Sequence, residues 1–456
     1  MITAAMDKKL FGTDGIRGVA GEWPLDPATI FAVGLCLGRD LNLKAARPRV
    51  FIGEDTRESS PWIAETVAAG LKEAGAEVQG LGVLTTPGLA YLTARESFSA
   101  GVMISASHNP YQDNGIKVFA STGYKLPDME EKEVEEAIFQ VLSNDFGPKP
   151  YRLALHRDRL PIKRYINFLR YGPASPRSLP GRKLVIDCAN GSASTIAQEV
   201  FSGLGMDLII FCNQPDGRNI NLNCGSLHLE NLRRAVLTEK ADLGVAFDGD
   251  ADRALFVTAA GQVVDGDGVL LAAGRYMQRR QALRGGAVVG TVMSNLGLER
   301  ALATEGLGLL RTPVGDKYVL DELLRSGCNL GGEQSGHVIF RDLATTGDGL
   351  LTALQILRIM AEEGRSLEQL VEGLKVFPQT IRNVRIRERI PFENLPLVME
   401  QIEASQKRLG SAGRIVVRHS GTELLARVMV EAETAEEVEQ NASAIVRAIE
   451  QSIGVE

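Results

Sequence analysis

The chain has 456 residues, 44% of them hydrophobic and 23% charged, a globular composition that at about 100–200 residues per domain predicts two to four domains. A formal net charge of −7 argues against a nucleic-acid partner, which calls for a basic surface, and leaves room for a small phosphorylated ligand held by a local positive patch. The five cysteines, Cys36, Cys188, Cys212, Cys224 and Cys328, are scattered and form no C-x-x-C, which fits reduced thiols in a cytoplasmic compartment; Cys212 and Cys224 lack two further nearby ligands for zinc.

The N-terminal stretch "MITAAMDKKLFGTDG" has no signal-like apolar core, and no apolar run approaches the ~20 residues of a membrane span, so no membrane contact is expected. Short apolar runs then alternate with amphipathic stretches, the pattern of βα units. Arg49–Asp55 reads as a strand and polar turn, and Pro61–Val78 as a helix that opens on proline and closes near Gly75. "AGVMIS" (Ala100–Ser105) is the next strand and Glu131–Leu142 the next helix. Phe146–Leu153, "FGPKPYRL", marks a first domain boundary. A second block follows: "KLVIDCANGS" as strand and loop, "ASTIAQEVFSGLG" as helix, "DLIIF" and "ADLGVAF" as strands. A third holds Gly286–Asn295, Leu307–Val319, Cys328–Phe340 and a helix over Gly347–Gly364. Gly373–Thr380 reads as a linker to a small α+β remainder. Apolar runs that are continuous rather than alternating favour mostly parallel sheets covered on both faces. With no G-x-x-x-x-G-K-[ST], and no G-x-G-x-x-G between strand and helix, P-loop and Rossmann dinucleotide chemistry are set aside.

Four stretches carry chemistry. In "FDGDADR", Asp248, Asp250 and Asp252 are spaced two apart, so their carboxylates can converge at the end of an apolar strand. Three converging negative charges call for a cation, and all-oxygen ligands call for a hard one, Mg²⁺. An EF-hand fits poorly, with Arg253 and Ala259 where its Gly and Glu belong; a haloacid-dehalogenase-type phosphatase would not carry a further Asp after Asp250. In "ISASHNPYQDNGIKVF" (Ile104–Phe119), Ser107 lies on a polar loop behind a buried strand, and no G-x-S-x-G elbow is present. His108 is its immediate neighbour, and adjacent side chains rarely face each other, so a phosphoserine fits better than a hydrolase nucleophile. His108 and Asn109 could position it, and Lys117 could supply charge or move a proton. "GEQSGH" (Gly332–His337) offers Glu333 and Ser335 for sugar hydroxyls and His337 as a proton shuttle. In "VVRHSGTELLAR" (Val416–Arg427), Arg418, Ser420, Gly421 and Thr422 suit a phosphate nest, with Arg427 as a second cation.

Together with "FGTDGIRG" (Phe11–Gly18), these stretches arrive in an order that resembles the α-D-phosphohexomutase superfamily over almost the whole chain. "SASHNP", "NINLNCGS" (Asn219–Ser226), "TVMSNLGLE" (Thr291–Glu299) and "TTGDGLL" (Thr345–Leu351) are similar to the branch acting on glucosamine phosphates; a sister branch acts on mannose or glucose phosphates with the same machinery. Leu424 stands where the family usually has Pro, and Leu227 and Leu229 where the branch commonly has Thr and Pro.

The resemblance implies an isomerase with three similar α/β domains of mixed, mostly parallel sheets and a smaller C-terminal α+β domain around a central cleft, expected over 1–150, 151–253, 254–372 and 380–456. It implies a phosphoserine at Ser107 and one Mg²⁺ per subunit held by Ser107, Asp248, Asp250 and Asp252. Arg17, His108, Lys117, Arg253 and His337 would line the transfer site, with Lys117 and His337 as acid/base candidates. Glu333 and Ser335 would take sugar hydroxyls, and Arg418, Ser420, Gly421, Thr422 and Arg427 the phosphate not in transit. The implied substrate is a hexosamine phosphate, with a sugar 1,6-bisphosphate as activator; a homodimer is compatible with it.

Overall fold

The computed structural model describes residues 10–12, 14–143, 152–176, 178–420 and 424–455. It divides into two compact units, one of Met1–Thr291 with Leu310–Glu372, the other of Val292–Leu309 with Gly373–Glu456.

The first sheet is built from β1 (Ile16–Val19), β2 (Arg49–Glu54), β3 (Glu77–Val83), β4 (Ala100–Ile104) and β5 (Asp113–Ala120), in the order β1-β5-β4-β2-β3. β2 runs parallel to β3 and β4, and only β5 opposes its neighbours. The second repeats the plan with β6 (Lys183–Asp187), β7 (Asp207–Phe211), β8 (Leu243–Phe247), β9 (Ala254–Thr258) and β10 (Val263–Val264), in the order β10-β9-β8-β6-β7. The third has β11 (Ala287–Thr291), β12 (Gly308–Thr312), β13 (Leu330–Gly332) and β14 (Val338–Phe340), in the order β12-β11-β13-β14. In all three, one strand turns directly into an antiparallel neighbour: β4 into β5, β8 into β9, β13 into β14. Those three turns carry Ser107, the acidic loop and Glu333 with Ser335. The sequence thus sets one connection, at the carboxyl end of a buried strand, to three uses.

The inner strands are fully covered, as their continuous apolar runs predict: β4, β8 and β9 are buried at every residue. Val50, Ile52, Val102 and Ile104 join Phe31, Val67 and Leu71 of the covering helices in one core. Each such side chain contributes about 1.5–3 kcal/mol when removed from water. The other unit carries a three-stranded antiparallel sheet, β15 (Gln379–Arg385), β16 (Arg414–His419) and β17 (Leu425–Glu431), in the order β15-β17-β16, with its own core of Val384, Ala426, Val428, Val430, Ile445 and Ile449. No helix among the described residues is long and apolar enough to cross a membrane.

Three expectations need correction. The boundary placed at 253/254 falls inside the second sheet, because β9 and β10 pair back onto β8 and β9. The stretch read as one helix, "ASTIAQEVFSGLG", is two short 3₁₀ turns flanking the five-residue helix Ala197–Phe201. The expected linker to Thr380 ends early, since β15 begins at Gln379.

Asp348 caps the helix Gly349–Glu363, accepting the Leu351 N–H at 3.0 Å and the Tyr165 hydroxyl at 2.8 Å. Burial pushes its carboxyl up to about 6, against the pull of both donors. The native state therefore holds this proton more tightly than the unfolded chain, where the group titrates near about 3.9. The stability it lends is complete below that value and lost as pH rises through 6, about 2–3 kcal/mol in all. Asp348→Asn keeps an oxygen for the cap and does not titrate. Its stability relative to wild type should rise by about 2 kcal/mol between pH 4 and 7 in guanidinium melts followed by circular dichroism; a gap independent of pH would contradict this.

Candidate active site

Ser107 sits on the β4–β5 turn, 1% exposed, in the left-handed region at φ 52°. Its Oγ donates to Asp248 Oδ2 at 2.5 Å. The turn is tied from beneath by Arg57, itself 1% exposed, which donates to the carbonyls of Ser107 at 3.0 Å and Asn109 at 2.9 Å, and to that of Pro110. Asp55 pairs with the Arg57 Nε at 2.8 Å and accepts the hydroxyls of Ser60 and Ser105, both at 2.7 Å; Ser105 Oγ in turn accepts the Ser107 N–H at 3.0 Å. Asn221 Nδ2 adds a bond to the Ser107 carbonyl at 2.9 Å. Gly249 closes the approach of the acidic loop: a Cβ there would lie 2.5 Å from the Ser107 carbonyl oxygen. The left-handed backbone also turns His108 toward its neighbour, against the expectation for adjacent side chains, with Nδ1 3.4 Å from Oγ. Burial, then Arg253 and Arg17, push the His108 imidazole down to about 4, so the ring is neutral at pH 7.

Asp248, Asp250 and Asp252 are all buried, and one carboxylate oxygen from each lies within 4.8 Å of the others. Burial, then Asp252 and Asp250, raise the Asp248 carboxyl well above its usual range. Asp250 Oδ2 accepts from Thr86 Oγ1 at 2.5 Å and Lys117 Nζ at 2.8 Å. The remaining oxygens, Oδ1 of Asp250 and Oδ1 of Asp252, are buried without a hydrogen-bond donor. An unbonded Asp250 oxygen beside two further converging carboxylates, one of which resists ionisation, fits a hard divalent cation.

Lys117, on β5, is 1% exposed and pairs with Asp14 at 3.0 Å, Asp250 at 2.8 Å and Asp252 at 3.5 Å. Burial opposes its charge, yet these carboxylates hold its pKa well above the ordinary lysine value. Asp14 also pairs with Arg17, and with Lys125 at 2.5 Å; Lys125 reaches Asp316 at 2.5 Å. Arg17 touches Asn109 Oδ1 at 3.4 Å, and Arg253 Nε lies 3.8 Å from Asp252. His337 lies between Asp252, 3.6 Å from Nδ1, and Asp316, 3.7 Å from Nε2. Burial works against charge on its ring, and Asp252 overrides it, pushing the imidazole up to about 9. The Gly347 N–H points at Nε2 at 3.0 Å and can bond there only when that nitrogen is unprotonated, so the ring is drawn both ways. Glu333 Oε1 accepts the Gly315 N–H at 3.0 Å, and Ser335 Oγ donates to Oε2 at 3.5 Å. Both are half-buried at the β13–β14 turn, with polar atoms available to a ligand.

In the other unit, Arg418 and Arg427 are register partners across β16 and β17. Burial and then Arg427 lower the Arg418 guanidinium from its usual value. Two cations side by side on a sheet face repel each other, and an anion between them relieves that repulsion. Ser420 is buried and donates its N–H to the Leu425 carbonyl at 2.8 Å, while Gly421 and Thr422 lie outside the described residues.

In the first unit the structure thus gathers Ser107, His108, Lys117, Arg17, the three aspartates, Arg253 and His337. Sequence reasoning missed Asp55, Arg57, Thr86, Asp14 and Lys125. The signal for the first two was present: "EDTR" puts an acid and a base two apart directly after a buried strand, at a strand's carboxyl end where such sheets bind ligands.

Family models described as phosphoglucomutase/phosphomannomutase α/β/α domains I, II and III match residues 8–145, 163–261 and 265–377, and one for the C-terminal domain matches 353–448. A phosphoglucosamine mutase of Solibacter usitatus is 54% identical over 98% of this chain and all of its own length; one of Oceanobacillus iheyensis is 45% identical over 98% and 99%. The chain belongs to the phosphoglucosamine mutase family. Among solved structures, a phosphoglucomutase/phosphomannomutase family protein of Burkholderia thailandensis superposes with a TM-score of 0.78 at 23% identity, covering 97% of this chain and 99% of that one. An Aspergillus fumigatus N-acetylphosphoglucosamine mutase in complex with GlcNAc-6P and magnesium gives 0.66 at 19%, covering 98% and 96%. Both share the phosphohexomutase fold of this phosphoglucosamine mutase family member.

Arg57→Ala would leave Asp55 buried without its cation and take one donor from each of three carbonyls of the serine turn. Its expected cost is about 3–5 kcal/mol in denaturant unfolding, with turnover lost in the fraction that stays folded. Near-normal stability would show that the tie is not needed.

Proposed function

We propose that the protein interconverts glucosamine 6-phosphate and glucosamine 1-phosphate through a phosphorylated Ser107 and a hexosamine 1,6-bisphosphate. The observation that carries this reading is the Ser107 hydroxyl, buried and 2.5 Å from Asp248 within the three-carboxylate cluster. A phosphoryl group on that oxygen would lie beside the metal ligands.

In the forward step the Ser107 Oγ–phosphorus bond breaks while a bond forms from the sugar's free hydroxyl oxygen to the same phosphorus. The hydroxyl proton passes to a base at that end of the sugar. The bisphosphate then reverses end for end, and its other phosphoryl group returns to Ser107 Oγ, whose leaving partner regains a proton. Asp248, Asp250 and Asp252 would hold one Mg²⁺ with the Ser107 phosphate. Bound there, the ion neutralises charge on the phosphoryl oxygens.

The protein's own residues supply the rest. Arg57 and Asn221 hold the turn so that Oγ keeps its place. Arg17 and Arg253 stabilise the charge of the group in transit. Lys117 and His337 are the acid/base pair. Neutral His108 lies against Oγ without adding charge. Glu333 and Ser335 bond the sugar hydroxyls, while Arg418, Ser420, Gly421, Thr422 and Arg427 grip the phosphate that is not transferred. Two phosphate sites are what the end-for-end reversal requires, and the absence of a nucleotide motif agrees with a donor carried on the enzyme itself.

The test is ³¹P NMR with Mg²⁺ and a trace of sugar bisphosphate, with glucosamine, mannose and glucose 6-phosphates in separate tubes. The glucosamine ester should convert fastest. Faster conversion of mannose or glucose would keep the chemistry and change the substrate; release of free phosphate would end the scheme. Ser107→Ala should abolish turnover while circular dichroism stays native. Arg418→Ala should raise KM roughly 10- to 100-fold with a smaller change in kcat, since a charge-assisted bond contributes about 1.5–3 kcal/mol; an unchanged KM would remove the clamp.

A further inference from the structure

Cys212 and Cys224 close the two ends of one loop in the second α/β domain. Cys212 directly follows β7, and Cys224 directly precedes the turn Gly225–Leu227. Their sulfurs and a carboxylate oxygen of Asp187 lie within 4.8 Å of one another. Cys212 is half-buried and reachable, while Cys224, like Cys36, Cys188 and Cys328, is buried. Contact with Cys212 and then burial push the Cys224 thiol up. One accessible sulfur close beside a buried one is the arrangement of an attacking and a resolving cysteine.

Zinc is the other use of such a cluster, and the geometry disfavours it. Both Asp187 oxygens are engaged by main-chain N–H groups, Oδ1 by Ala189 at 2.8 Å and Oδ2 by Gly225 at 2.9 Å. Among the described residues no fourth His, Cys, Asp or Glu joins the group.

The backbone around the pair is held in left-handed conformations at Ala189, Asn190, Cys212, Asn221 and Asn223, none of them glycine. Such residues gather where surrounding structure imposes them. The loop between the cysteines also carries Asn221, whose Nδ2 bonds the carbonyls of Ser107 at 2.9 Å and Asn109 at 3.1 Å. Joining the sulfurs requires them to approach to about 2.05 Å, and the loop must move to allow it.

We propose that Cys212 and Cys224 form a reversible disulfide, a modification site whose closure displaces Asn221 and slows phosphoryl transfer at Ser107. The oxidant is a low-molecular-weight disulfide. The Cys212 thiolate attacks one of its sulfurs and expels one small thiol, leaving a mixed disulfide. Cys224 gives up its proton, attacks the Cys212 sulfur and expels the second. Two protein thiols are oxidised, the small disulfide is reduced to two thiols, and a reducing thiol reverses both steps. The activity part rests on the reading of Ser107 given above; the cross-link does not.

The experiment treats the reduced full-length protein with oxidised glutathione, maps peptides by mass under non-reducing conditions and follows sugar-phosphate conversion. The expected result is a Cys212–Cys224 peptide, with Cys36, Cys188 and Cys328 still free. Turnover should fall roughly tenfold to a hundredfold, as a small misplacement near the reacting group allows, and recover with dithiothreitol. Cys212→Ser should keep the reduced enzyme's rate and ignore the oxidant. A glutathione adduct on Cys212 that never resolves, or a link through Cys188, overturns the site. A Cys212–Cys224 link with unchanged turnover overturns the coupling to Ser107. If the reduced protein lacks mutase activity, the reading of Ser107 fails, and the peptide map alone decides the disulfide.

Discussion

The site depends on a buried lysine whose charge has nowhere to go. Lys117 is placed by β5 among Asp14, Asp250 and Asp252, and Asp14 continues through Lys125 and Asp316 to His337, which returns to Asp252. Signs alternate around this closed circuit, so each ion has a counter-ion on either side and desolvation is offset without solvent. Removing one member would leave each of its two neighbours with one counter-ion fewer. The circuit also joins side chains from the first, second and third sheets, so the electrostatics of the three-aspartate cluster and the mutual placement of those sheets are one constraint.

A second constraint operates beneath Ser107. The turn holds a non-glycine residue in a left-handed conformation, and Arg57 spends its guanidinium on three main-chain carbonyls rather than on a ligand. Under the proposed mechanism Ser107 accepts and releases a phosphoryl group, and a rigid base keeps it from drifting. The cost of burying Arg57 is offset by Asp55, which is in turn satisfied by two serine hydroxyls.

Much of this was legible in the chain. The acidic triad, Ser107, Lys117 and His337 stand in local patterns whose spacing or context implies convergence, and the apolar strands announce the sheets. Thr86 and Lys125 were not legible, because their partners are distant in sequence: Thr86 meets Asp250, and Lys125 meets both Asp14 and Asp316. The boundary near residue 253 was misplaced for a related reason. A motif that looks like the end of a domain is the turn of a β-hairpin, and the antiparallel partner after it belongs to the same sheet. The fragmented helix after Ser192 shows the opposite limit: its opening residue donates its N–H to the Gly249 carbonyl of the acidic loop, and Gly191 packs against Gly249.

The three sheets place their chemistry on one kind of hairpin turn, and the pairing on either side of each turn is complete without it: Ile104 opposite Ile116, Phe247 opposite Ala254, Gly332 opposite Val338. Scaffold and reactivity are therefore separable here. Strand register sets where a turn emerges, and the residues of the turn set what it does, so a change of length or composition in one turn leaves the other two addressed to the same point. The sheets carry the architecture, and the contacts between turns, Ser107 with Asp248 and His337 with Asp252, carry the coupling.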